Sequence, residues 1–174
     1  MKPLLILTLA LGLVACREDA DELPGPLAMT DEALGHYCQM YLADHPGPKA
    51  QVFVEGYAQP FWFSQVGDAA AFRADREKPA AIVVTYVSDM GRAESWGEPG
   101  IDNWIAADTA HFVIGSRVSG GMGLPEAVPF ASEAAAQGWA AENGGRVVAW
   151  AEVPDDLIRS GALSANLPHQ GHSK

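Results

Sequence analysis

The chain has 174 residues, with 22 acidic side chains against 11 basic ones and a formal charge of -11 at neutral pH. That excess argues against a nucleic-acid partner and against direct electrostatic adhesion to anionic lipid; it suits a cationic cargo or a basic partner. Setting aside a short N-terminal leader, the length suits one domain able to bury its own core.

The leader comes first in chain order. MKPLLILTLALGLVAC carries one positive charge at Lys2, an apolar run from Leu4 to Val14, and small Ala15 before Cys16. The run has roughly half of the ~20 apolar residues that a spanning helix needs, so residues 1–15 read as a signal peptide. Leu13-Val14-Ala15-Cys16 resembles the lipobox of bacterial lipoproteins, in which the cysteine is acylated and becomes the new N-terminus. Arg17 is not the aspartate associated with inner-membrane retention, so an outer-membrane anchor facing the periplasm is favoured. Residues 16–30 are acidic and interrupted by Pro and Gly, which predicts a flexible tether.

With Cys16 lipidated, the mature chain keeps one thiol, Cys38 in HYCQM. In an oxidising compartment a lone thiol is either buried or needed for its chemistry. Read as extended backbone, this stretch puts His36, Cys38 and Met40 on one face. Thiolate plus thioether is the soft pair that selects Cu(I), whereas zinc normally takes more cysteine or histidine. A buried structural cysteine and a core-packing Met40 stay open as alternatives.

Strand patterns follow at 49–56 and 60–64, a helix at 66–77 and a strand at 81–88. A turn-rich join, 89–108, separates these from strands at 110–116 and 127–131, a helix at 132–143 with Ser132 as cap and Gly144-Gly145 as stop, and a strand at 146–153. Pro60-Phe61 and Pro129-Phe130 each precede an alanine-rich helix and a valine-rich strand, so an internal duplication of two ββαβ units, 49–88 and 110–153, is the economical reading. Met122, in SGGMG, lies in a glycine loop with no core to fill, which makes it the best distant candidate for a third sulfur ligand. Met90 and His111 are weaker candidates, and His45, His169 and His172 read as surface histidines. The tail from Pro154 to Lys174 has few apolar residues after Leu163 and is expected to be mobile, from about residue 157 onward. No nucleophile elbow, phosphate loop, HExxH or dinucleotide fingerprint occurs, so the chain is not expected to be an enzyme.

Cys-x-Met followed by HPGPKAQVFVEG, then PFWFSQVGDAAAF, IDNWIAADTAHFVIGS and finally SGGMG before AVPF, in this order, resemble the NosL family, lipoprotein copper chaperones of nitrous oxide reductase assembly. The likeness implies a periplasmic lipoprotein with an α+β fold of two ββαβ units in tandem over about 31–156, similar to organomercurial lyase. It also implies Cu(I) held by Cys38, Met40 and Met122 and passed to nitrous oxide reductase. Many members have Cys-Gly-Met where this chain has Cys38-Gln39-Met40, which keeps the donors and stiffens the residue between them. For a second ion such as Zn(II), associated with the family, His36, Asp89 and His111 are the donors to test. A homodimer sharing one ion stays open. Two competing readings remain: a thiol enzyme pairing Cys38 with His36, and a lipoprotein that sequesters or senses metal without a dedicated client.

Overall fold

Ala50–Val54 is the strand on which the first sheet is built, and all five residues are buried. Ala50, Val52 and Val54 enter the main core, while Gln51 and Phe53 point the other way, so a strand buried throughout needs cover on both faces. The computed structural model describes residues 23–159. Cys16, the leader, and His169 and His172 lie outside the described residues.

Seven strands and two helices follow in order: β1 (Ala50–Val54), β2 (Phe61–Phe63), α1 (Val66–Ala74), β3 (Ile82–Ser88), β4 (Trp104–Ala106), β5 (His111–Ile114), β6 (Val128–Phe130), α2 (Glu133–Asn143) and β7 (Arg146–Ala149). They form two antiparallel sheets, ordered β2-β1-β3-β4 and β6-β5-β7. In each unit the first strand is central, flanked by the second and by the strand that follows the helix. The chain is thus an α+β protein with two ββαβ units of the same topology. Register corrects the sequence alignment of the units: Phe63 pairs with Ala50 and Phe130 with His111, each at the start of the central strand. Phe63, not Phe61, is therefore the counterpart of Phe130, and the two Pro-Phe pairs are offset by two residues.

The two units share one core. Val52, Phe63, Val66 and Phe72 of the first pack with Phe112, Ala127, Val148 and Trp150 of the second, each such large apolar side chain stabilising the fold by about 1.5–3 kcal/mol. Arg73 at the end of α1 clasps the far end of the second unit. Its guanidinium donates to the carbonyls of Trp150 (2.7 Å) and Val153 (2.8 Å), lies 4.7 Å over the Trp150 ring and pairs with Asp155.

Four stretches differ from the sequence expectation. Helix α1 stops at Ala74 rather than residue 77, because Asp75 turns extended and the Lys78 ammonium closes the end on the carbonyls of Arg73 and Asp75. The join contains a strand, β4, paired to β3 through Tyr86–Ala106, Val87–Ile105 and Ser88–Trp104. Three residues amid Gly and Pro carry too little pattern to announce a strand; the sheet edge supplies the order. Residues 24–29 of the tether are docked on the outer face of the first sheet: Leu27 exchanges both backbone bonds with the Gln51 side chain, and Pro24 accepts from the Tyr86 hydroxyl at 2.8 Å. This is the cover that the second face of β1 requires. The start of the tail is also packed, with Leu157 in the core.

Candidate metal centre

HYCQM is not extended. Leu34 and Tyr41 form an antiparallel bridge, and the chain between them folds into a tight turn closed by Gly35 N–H on Met40 O (2.9 Å) and Gln39 N–H on Gly35 O (2.8 Å). Gln39 sits at φ 56°, the left-handed region where glycine is preferred. Here the Gln39 carboxamide offsets the strain by donating to the carbonyls of Gly35 and His36. At Gly35 the glycine is required for another reason: a Cβ there would run into the Cys38 sulfur.

The turn separates the three residues expected on one face. His36 enters an aromatic nest, its ring centroid 4.8 Å from Phe61, 5.4 Å from Phe72 and 5.7 Å from Phe63. Burial there lowers its pKa, against a smaller opposing pull from Asp75. Cys38 is half-buried, with Sγ 3.6 Å from the Ser64 hydroxyl. Met40 stays 40% exposed and packs no core. Tyr37 covers the nest from outside, its phenol pushed up to about 12 by burial and by Asp75, on which its hydroxyl lies at 3.4 Å.

The Met122 loop comes from the second unit. It is a turn pinned by Gly120 N–H on Leu124 O and Gly123 N–H on Gly120 O, each 2.8 Å. The Met122 amide donates to Gln65 Oε1 at 2.9 Å, and the side chain is 39% exposed. The consecutive residues Ser64 and Gln65, just before α1, thus contact Cys38 and Met122 respectively. Behind them lies Glu126, wholly buried and pushed up to about 8 by desolvation, its Oε1 accepting from Gly67 and Ala127 amides. Lys49, nearly as deep, is lowered to about 8 by burial, with Glu126 pulling the other way; its ammonium donates to the carbonyls of His45 and Gly47.

The proposed second-ion donors do not gather. Asp89 is buried with its Oδ1 taken by the amides of Gly91 (3.0 Å) and Ala131 (3.1 Å). His111 opens β5 in the second sheet, paired with Phe130 and Ala149, while His36 is in the nest on the first. Among the described residues no three His, Cys, Asp or Glu side chains converge on a point. Met90 packs against the Val113–Phe130 cluster, which makes it a core residue. Sequence reasoning missed Gly35, Ser64, Gln65 and Glu126. One signal was available: glutamine is a poor N-cap, and it stands at 65 where the second unit has Ser132.

The NosL family profile matches residues 26–158. A "Copper-binding lipoprotein NosL" of Achromobacter cycloclastes is 52% identical over 147 residues, 84% of this chain and 76% of that protein. One of the same description from Stutzerimonas stutzeri is 31% identical over 97% of this chain and 86% of its own length. The crystal structure of the copper chaperone NosL from Shewanella denitrificans superposes with a TM-score of 0.69 at 26% identity, covering 74% of this chain and 94% of that one. On sequence, length and fold together, the chain belongs to the NosL family.

Proposed function

We propose that this protein is a periplasmic, lipid-anchored Cu(I) chaperone that holds its ion through Cys38, Met40 and Met122 and delivers it to nitrous oxide reductase. The observation that carries the reading is that the chain keeps a half-buried free thiol and leaves two large thioethers about 40% exposed, with neither methionine in the hydrophobic core. Soft sulfur donors prefer Cu(I) to harder divalent ions. The names borne by the relatives, copper-binding lipoprotein and copper chaperone, support copper as cargo and Cys16 as the lipidation site.

The chain's own groups suggest how loading and release work. Binding converts the Cys38 thiol to thiolate and releases its proton. The Ser64 hydroxyl, 3.6 Å away, is placed to lean on the resulting charge. An ion held by Cys38, Met40 and Met122 would sit against two exposed thioethers, where a recipient's ligands could approach from solvent. The test is anaerobic Cu(I) competition against a chelator of known affinity, followed by mixing the loaded protein with copper-free nitrous oxide reductase. One tightly bound Cu(I) per chain and copper recovered in the reductase are expected. Tight binding with no transfer, and normal reductase copper in cells lacking this protein, would favour the sequestering or sensing reading instead.

A further inference from the structure

Gln65 occupies the N-cap position of α1 but makes no capping bond with its side chain. It is completely buried and points away from its helix into the other unit, where Oε1 accepts the Met122 amide at 2.9 Å. Gly67 N–H, near the start of α1, is satisfied instead by Glu126, from the strand entry just beyond the Met122 loop. Two buried polar atoms remain without a partner on this floor, Gln65 Nε2 and Glu126 Oε2, and both face Gly120: a Cβ there would lie 3.0 Å from the first and 2.7 Å from the second. On the other side, a Cβ on Gly121 would meet Pro46 O at 2.6 Å and His45 Cβ at 2.8 Å. The loop is therefore pressed between a polar floor and the 45–46 turn, with room only for glycine.

We propose that Gln65 is the positioning residue for Met122, a buried carboxamide taken from helix capping to fix the loop on which the second-unit thioether stands. The inference rests on the reading of Met122 as a copper ligand. Its logic is that a side chain unable to cap its own helix, buried at the expense of an unpaired amide, is explained by the one strong bond it makes, and that bond is to the backbone of Met122. Residues that orient a ligand in this way typically change metal affinity by about 10–100-fold when removed.

Four mature proteins decide it: the parent, Gln65→Leu, Met122→Leu and the double variant, each titrated anaerobically with Cu(I) alone against a chelator. Gln65→Leu is expected to weaken binding about as much as Met122→Leu, by about 10–100-fold, and to add nothing in the double variant. X-ray absorption should show one sulfur fewer around copper in each single variant, and the Met122 amide should exchange faster in metal-free Gln65→Leu. Gln65→Leu binding with parental affinity beside a weakened Met122→Leu overturns the positioning role alone. An equal further loss in the double variant overturns it too, since the glutamine would then act elsewhere. Parental affinity in Met122→Leu sinks the ligand reading and the inference with it. Should Gln65→Leu fail to fold, Gly120→Ala, whose methyl would displace the loop from the same floor, enters the same comparison with the same outcomes.

Discussion

The two units meet the same local problem at the same place, a strand running into a helix, and solve it differently. At the β6–α2 corner the helix cap is local: Ser132 Oγ accepts the Ala135 amide at 3.2 Å, and only the Ala131 amide before it is held from afar, by Asp89 just after β3. At the β2–α1 corner the counterparts are lent out. Ser64 faces Cys38, Gln65 holds Met122, and the helix start is served by Glu126 from the other unit. A duplicated fold thus keeps one corner for its own stability and turns the other into a site, with a buried polar cluster in place of a simple cap.

If that division is right, substitutions at the two corners should separate binding from stability. The largest effect is expected at Cys38. Cys38→Ser should weaken Cu(I) binding by about a thousandfold or more, equivalent to about 4 kcal/mol, and abolish release of the bound proton, while the urea midpoint moves little. Chelator competition at two pH values checks both; Cu(I) affinity within tenfold of the parent, with the same pH dependence, would make Cys38 a structural residue. Asp89→Ala is expected to do the opposite. It leaves two amides beside a buried cavity without their acceptor and should lower stability by about 1–3 kcal/mol in urea unfolding, with Cu(I) affinity unchanged. A matching loss of copper affinity would return Asp89 to the metal site.

The next effect is smaller and tests the local cap directly. Ser132→Ala should lower stability by about 1 kcal/mol and speed exchange of the Ala135 amide, with no change at the β2–α1 corner. If the amides around Gln65 and Met122 also exchanged faster, the two corners would not be independent.

These contrasts also explain what the sequence shows and what it hides. The second helix is legible to the residue, because Ser132 and Gly144 are signals read within one turn of the chain, and Gly144 takes the expected left-handed φ of 78°. The ββαβ order is legible because hydrophobic period and breakers are local. Cys38, Met40 and Met122 stand out by type, and the exposure of both methionines is legible from their settings, Met122 in a glycine loop above all. The geometry of HYCQM is not: the turn depends on Gly35 giving space to the Cys38 sulfur and on the Gln39 side chain bonding back to its own backbone. The docked residues 24–29 are hidden for a similar reason, since their order comes from Gln51 and Tyr86, one strand pair away. Gln65 and Glu126 are 61 positions apart and come together only when the units pack.

A last effect, read along pH, probes the buried acid beneath the site. Glu126 keeps its proton to about pH 8 in the fold but would lose it near 4.5 when unfolded. Between those values the folded chain holds more protons than the unfolded one, so stability falls as pH rises. Asp68, raised to about 6 by burial, adds a slope of the same sign that ends near pH 6. His36, lowered by burial, acts in the opposite sense and only below its ordinary 6.5. Lys49, lowered to about 8, also acts oppositely, between about 8 and its ordinary 10.5. The interval from about pH 6.5 to 8 therefore reports Glu126. In the parent, urea unfolding should show stability declining across it. Glu126→Gln, which keeps the volume and an acceptor for the Gly67 and Ala127 amides, should flatten the decline. A decline as steep as the parent's would mean that Glu126 is already ionised in the fold. The floor under Met122 would then carry a buried carboxylate rather than a neutral acid.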